Sequence, residues 1–421
     1  MSSFLFTNIK QLVNARSGTH LLCGKDLADL PCIENAYLIV EDGVIAEYGS
    51  MVNVQLSMDK FTKAVDAKDQ FVLPCWCDSH THLVFTGSRE EEFVDKIKGL
   101  SYAEIAAKGG GILNSAKKLN ETSEDALFIQ AWKRLEEVSK LGTGAIEIKS
   151  GYGLTVESEL KMLRVIKKLK EKSRLSIKAT FLGAHAYPVE YKENHPGYID
   201  SIINEMLPVI AKEKLADYID VFCETGFFSP EETEIICRAG KKYGLKPKLH
   251  VNQLNSIGGI EVGLKLNAVS VDHLETMTDD DIRRLAKVTT GQDVERATIG
   301  TLLPTSAFFL RMPFQPAREL IDAGCAIALA SDYNPGSSPS GNMNLVVAMS
   351  CSQMKMLPEE AINAATINGA FAMELQNEVG SITVGKKANL IFTNPIPSIA
   401  YLPYAFGENH IDKVMIAGDW V

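Results

Sequence analysis

Long apolar runs are missing from this chain. No stretch of the 421 residues stays predominantly apolar for the roughly 20 positions that a membrane-spanning helix needs, so no membrane association is expected. The opening MSSFLFTNIKQLVNAR has a short apolar patch with no charged start before it and no small-residue cleavage pattern, which argues against an export signal. Basic excess is missing too. With 43 Lys and Arg against 53 Asp and Glu, a formal charge of −10 and no Lys/Arg stripe, a nucleic-acid partner is excluded, and any anionic ligand must be met by a local cation. Paired cysteines are absent. The eight that occur (Cys23, Cys32, Cys75, Cys77, Cys223, Cys237, Cys325 and Cys351) are scattered, several inside apolar runs, which fits a reducing, cytoplasmic setting. Cys75 and Cys77 flank Trp76, but no second pair stands at a spacing that would complete a thiolate metal site. What is present is an ordinary globular composition, 46% hydrophobic, long enough for one large domain and a smaller one.

Histidine is scarce, eight in all, and its placement is informative. Asp78-Ser79-His80-Thr81-His82 ends the apolar run Phe71 to Trp76. Side chains two apart on a strand share a side, so His80 and His82 present two imidazoles together, as one metal ion requires. Alone, such a pair is as readily structural. Further histidines change the balance: SIKATFLGAH ends at His185, LKPKLH at His250 and NAVSVDH at His273, while His195 lies in a loop. The run CAIALASD ends in a carboxylate, Asp332. Ligating groups at the carboxyl ends of successive buried strands are what a (β/α)8 barrel places on its catalytic face.

Strand and helix patterns alternate between 71 and 374, which demands a parallel sheet covered by helices. Candidate strands lie at 71–77, 144–149, 176–184, 219–224, 247–251, 268–272, 299–304 and 325–331, with amphipathic helices such as Val156 to Lys172 and Pro230 to Tyr243 between them. The seventh is the least continuous, carrying charge and Gly. Residues 1–70 instead alternate short strands with turns; AYLIVEDGVIAEYG reads as a hairpin turning at Asp42-Gly43. Residues 375–421 are similar. The expected architecture is α/β: a catalytic TIM-like barrel over 71–374 and a small β-sandwich-like domain built from both termini.

Arg89 follows the paired histidines in the same long loop, where SREEEF reads equally as a solvated helix start with Arg paired to Glu. Gly109-Gly110-Gly111 interrupts a helix begun at Ser101, as a mobile flap or a helix end; it lacks the Lys-Ser/Thr of a phosphate loop.

The segments DSHTHLVFTGSREEEF, GGGI, EIKSGYGL, FLGAHAYPVEY, LHVNQLNSIGG, VDHLE, TLLPTSAF and SDYNPGSSPSGNM together resemble the imidazolonepropionase family of the metal-dependent amidohydrolase superfamily. The resemblance runs from the first barrel strand to the last helix and extends to the terminal β segments. It implies a metal held by His80, His82, His250 and Asp332, and substrate contacts from Arg89, Tyr152, His185, Gln253, Asn334, Gly336 and Ser337. It also implies one divalent ion per subunit, zinc or iron, activating a water, and a homodimer. The implied reaction opens the ring C–N bond of 4-imidazolone-5-propionate to give N-formimino-L-glutamate in histidine degradation. Asp332 would carry the proton, His273 would orient or polarise the carbonyl, and Arg89, with Tyr152 and His185, would hold the propionate.

One departure from the wider superfamily is Gln253, three residues after His250, where deaminases often carry a proton-shuttling Glu. An amide cannot shuttle a proton, so hydrogen bonding to the substrate ring is the expected role. The fourth strand offers no Lys to bridge two metals, although Glu224 stands where it could replace one. The alternatives are another cyclic amidohydrolase or ring deaminase of the same superfamily, and a non-catalytic ligand-binding barrel.

Overall fold

The computed structural model describes residues 3–52, 61–100, 104, 110–289 and 297–421. The N-terminal part gives β1 (Ser3–Val13), β2 (Cys32–Glu41), β3 (Val44–Ser50), β4 (Lys63–Asp66) and β5 (Phe71–Pro74). The hairpin expected at Asp42-Gly43 joins β2 to β3, with both turn residues at positive φ (48° and 82°), the twist that a two-residue hairpin needs. Eight parallel strands follow: β6 (Trp76–Thr81), β7 (Thr143–Lys149), β8 (Ser176–Ala184), β9 (Tyr218–Cys223), β10 (Lys246–Val251), β11 (Ser270–His273), β12 (Ile299–Leu302) and β13 (Ile327–Leu329). They pair in chain order. The barrel closes beyond β13, where Asp332 N donates to His80 O (3.0 Å) and His82 N donates to Tyr333 O (2.9 Å). The C-terminal strands β14 (Leu390–Thr393), β15 (Ile411–Ile416) and β16 (Asp419–Trp420) join β5, β1, β2 and β3 in one mixed sheet, with β4 beside β1. Its core of Phe6, Leu12, Leu38, Val40, Leu390, Phe392 and Met415 is separate from that of the barrel.

The run 71–77, expected as one barrel strand, is two. Cys75 N donates to Asn389 O (3.0 Å) in the terminal sheet, whereas Trp76 N donates to Gly142 O (2.9 Å) in the barrel, so the chain changes sheets at this point. β5 therefore pairs with β1 and β14, and the first barrel strand runs on to include His80. Two helices fall where their apolar periodicity places them. Val156–Lys172 is capped by Thr155, and Pro230–Lys242 by a capping box of Ser229 and Glu232, each satisfying first-turn N–H groups. The seventh strand ends at Leu302 rather than 304 because Pro304 opens a helix, Pro304–Leu310. Ser101 and Gly109, at the start of the interrupted helix and of the glycine run, lie outside the described residues.

Candidate metal centre and its surroundings

Three imidazoles converge at the carboxyl end of the barrel. His80 Nδ1 meets Asp272 Oδ2 (2.7 Å), His250 Nδ1 meets Asp220 Oδ2 (2.9 Å), and the carbonyl of Ser150 lies 3.4 Å from His82 Nδ1. Acceptors at every Nδ1 assign the proton there and leave each Nε2 as a bare lone pair. His82 Nε2 and His250 Nε2 stand 3.4 Å apart, and His80 Nε2 is buried with no hydrogen-bond partner among the described residues. Lone pairs aimed at one point repel unless a cation lies among them. Burial holds all three imidazoles well below their usual pKa, hence neutral and able to ligate. Asp332 Oδ1 completes the arrangement at 3.6 Å from both His80 Nε2 and His82 Nε2. Three nitrogens and one carboxylate oxygen are a donor set that suits a divalent ion with an open position.

His273 overlaps this group, since its ligand atom lies within 4.8 Å of those of His80 and Asp332. Its Nδ1 faces Glu275 Oε1 at 3.4 Å, and Gln315 Nε2 donates to the same oxygen (3.0 Å). Burial opposes charge on His273, but Glu275 outweighs it and raises the pKa. Burial pushes the Asp332 carboxyl up to about 6, although His273 pulls the other way. Both residues sit at positive φ, 90° and 52°, a strain of about 1–3 kcal/mol each of the kind that collects at functional sites.

The loops around the centre are pinned from below. Glu159 is buried and accepts from Gly151 N (3.0 Å), Gly153 N (2.7 Å) and Leu154 N (3.1 Å), fixing the turn that carries Tyr152. Gly151 (φ 111°) passes so close to His185 that a Cβ would lie 2.9 Å from its Nδ1, which hydrogen-bonds Gly151 O at 2.9 Å. The His185 ring lies parallel to His82 at 5.3 Å, and Tyr152 meets both edge-on at 5.4 and 5.6 Å. Beyond β13, Asn334 Oδ1 accepts from Gly336 N and Ser337 N (2.8 Å each), and Ser337 Oγ donates to Asp332 Oδ2 (3.1 Å). Asn334 Nδ2 donates to Asp332 O (2.6 Å) and Ser337 Oγ (2.7 Å), so its amide is occupied in shaping this loop. Arg89 makes the pairing with Glu that the sequence offered and also reaches the loop after β13. Its Nε donates to Glu92 Oε2 (2.9 Å), while Nη1 lies over Gly336, where a Cβ would come within 2.3 Å. Gln253 is buried just after β10.

The chain matches the amidohydrolase family profile over residues 71–421. It is 60% identical to the imidazolonepropionase of Flavobacterium johnsoniae over 98% of both chains, and 56% identical to that of Christiangramia forsetii over 99% of both. This chain belongs to the imidazolonepropionase branch of the amidohydrolase family. Among solved structures it resembles E. coli guanine deaminase (TM-score 0.72, 12% identity, 100% and 99% of the two chains) and a triazine hydrolase variant (0.71, 14%, 99% and 94%). At such identities the likeness is one of fold. The amidohydrolase family is metal-dependent, and the histidine cluster is this member's candidate metal site.

Not every candidate joins the centre of this amidohydrolase. His195 stacks on Tyr187 with ring centroids 3.6 Å apart, in a separate contact. Glu224 is consumed by Thr225 N, Leu254 N, Asn255 N and Asn255 Nδ2 at 2.7–3.1 Å, which leaves it no oxygen to bridge a second metal. Conversely, Asp220, Asp272, Glu147, Lys149, Lys248, Glu159 and Glu275 escaped the sequence reading. The first five are fully buried inside the barrel beneath the histidines. Only a charged residue at an inward register of a strand marks them, and that register is not visible until pairing is known.

Proposed function

We propose that this protein hydrolyses the ring C–N bond of 4-imidazolone-5-propionate to N-formimino-L-glutamate, a step of histidine degradation. The observation that carries the reading is the convergence of three bare Nε2 atoms and Asp332 in a protein whose relatives at 56–60% identity are imidazolonepropionases. His80, His82, His250 and Asp332 would hold one zinc or iron ion. When bound, the ion supplies Lewis acidity, lowering the pKa of a water and polarising the substrate carbonyl.

The remaining work falls to side chains. Asp332 takes the proton of the water and returns it to the departing ring nitrogen. His273, held toward its charged form by Glu275, directs Nε2 at the carbonyl oxygen. Arg89 receives the propionate beside Gly336, with Tyr152 and His185 walling that end. Asn334 and Ser337 shape the loop on which Asp332 sits. Gln253 meets the ring as an amide, which disfavours a deaminase.

A homodimer and a cytoplasmic setting belong to the same reading. Exposed Tyr404 and Phe406 support the first, and eight free thiols the second. Among the described residues no helix is long and apolar enough to cross a membrane. The test is loss of imidazolone ultraviolet absorbance with purified protein, abolished by chelator and restored by zinc or ferrous iron. No turnover with metal bound would reject this substrate.

A further inference from the structure

Beneath the three imidazoles lies a group of charges with no exposure to solvent: Lys149, Lys248, Glu147, Asp220 and Asp272. Lys248 Nζ donates to Glu147 Oε2, to Ser79 O (3.2 Å) and to Ala372 O (2.9 Å), while Thr180 Oγ1 donates to Glu147 Oε1 (2.7 Å). Lys149 Nζ makes the connection that matters. It lies 2.8 Å from Asp220 Oδ2, 3.5 Å from Asp272 Oδ2 and 2.7 Å from Glu147 Oε1. Those two aspartate oxygens are the same atoms that accept from His250 Nδ1 (2.9 Å) and His80 Nδ1 (2.7 Å). A single ammonium therefore touches both carboxylates, and through them both imidazoles.

We propose that Lys149 is a positioning residue for the metal centre, a strut that fixes the separation and tilt of His80 and His250 by gripping the two oxygens that hold them. The group carries two cations and three carboxylates. Charge balance alone needs no particular geometry, since Lys248 sits within reach of Glu147 only. Lys149 instead sits between strands β7, β9 and β11, where its ammonium reaches both aspartates. Partners that orient ligating histidines are worth about 10- to 100-fold in metal affinity, and here one side chain stands behind two of them.

The inference rests on the metal-site part of the proposed function. Lys149→Met alone leaves unbalanced buried carboxylates and threatens the fold, so the decisive protein is Lys149→Met/Glu147→Gln. It keeps the net charge of the group and leaves both His–Asp pairs in place, removing the tie between them together with the carboxylate partner of Lys248, a loss that Glu147→Gln alone measures separately. Zinc affinity is measured by chelator competition on the full chain, alongside the visible spectrum of the cobalt(II) form and the thermal unfolding of the metal-free protein. The expected result is cooperative unfolding, a zinc dissociation constant raised about 10- to 100-fold and an altered cobalt spectrum, with Glu147→Gln alone changing affinity less than about threefold. Zinc bound by the double variant as tightly as by wild type, with an unchanged cobalt spectrum, would reduce Lys149 to a counter-charge and overturn the proposal. So would a double variant that does not unfold cooperatively without metal, which would place the role in the fold. Failure of wild type to bind zinc or cobalt would sink the metal reading itself, a different outcome.

Discussion

Arg89 places its Nε and Nη2 on Glu92 and turns Nη1 toward Gly336, so the guanidinium is already half-committed when an anion arrives. Glu92 in turn accepts from Gly111 N (3.0 Å), tying the cation to the last glycine of the run, which caps the helix Ile112–Glu121. A charge-assisted contact to the propionate is worth about 1.5–3 kcal/mol. Arg89→Ala is therefore expected to lower kcat/KM by about one to two orders of magnitude with metal content unchanged. Unaltered kinetics would return Arg89 to its structural pairing with Glu92. His273 and Asp332 separate by a different pair of changes. His273→Asn removes the group proposed to face the carbonyl and leaves the four proposed metal donors, so metal should stay while kcat falls by about 100-fold or more. Asp332→Asn removes both of the roles proposed for Asp332, ligand charge and proton carrier. Its loss should be larger, and any residual rate should lack the acidic limb of the pH profile. Metal lost from His273→Asn but kept, with turnover, in Asp332→Asn would reverse the assignments.

At the scale of elements, what the sequence showed was the ends of strands. His80, His250, His273 and Asp332 were legible because each closes an apolar run, and the strand–helix alternation made those ends neighbours. The turn at Asp42-Gly43 and the helix Val156–Lys172 were legible for equally local reasons, a primed turn and a 3.6-residue period. The break at Cys75 was not. An apolar run carries no mark of which sheet receives its N–H groups, and only the acceptors Asn389 O and Gly142 O, both distant in sequence, divide it. The Asp–Lys layer was hidden for the same reason, since inward register follows from pairing. Loop roles were legible only through resemblance: the pattern of Asn334, whose side chain bonds Gly336, Ser337 and Asp332 in this loop, has no local sequence signal beyond its turn-forming residues. That loop offers its own test. Gly336→Ala would put a methyl 2.3 Å from Arg89 Nη1, which moves easily because it ends a flexible side chain. The expected outcome is an unchanged melting temperature with KM raised on the order of tenfold, the cost of a displaced anchor. A lost fold with normal KM in the surviving protein would mean that the loop, not Arg89, needs the glycine.

For the molecule as a whole, the centre makes metal-free protein sensitive to pH in a direction that follows from which state takes up protons. His80, His82 and His250 are buried neutral, with folded pKa values well below the ordinary value near 6.5. Below that value the unfolded chain binds protons that the folded chain refuses, so stability is lost as pH falls. Asp332 and Asp78 act oppositely. Burial raises their carboxyls to about 6 and about 7, so the folded state takes those protons first and gains stability as pH falls. His185, pushed down by burial to about 4, also refuses, while His273, raised by Glu275, offsets part of this; four refusing imidazoles outweigh the two raised carboxyls, and metal-free protein should weaken between pH 7 and pH 5. Each proton of difference contributes at most about 1.4 kcal/mol per pH unit. His82→Gln removes one refusing group, so its metal-free unfolding free energy should fall less steeply over that range, by up to that amount per unit. Bound metal excludes protons from the same nitrogens, so wild type with excess zinc should also lose stability as pH falls, through release of the ion. Urea titrations of both metal-free proteins at half-unit steps decide the matter. Parallel pH dependence in wild type and His82→Gln would show that His82 takes up its proton in the folded state, and that the three imidazoles are not held neutral together.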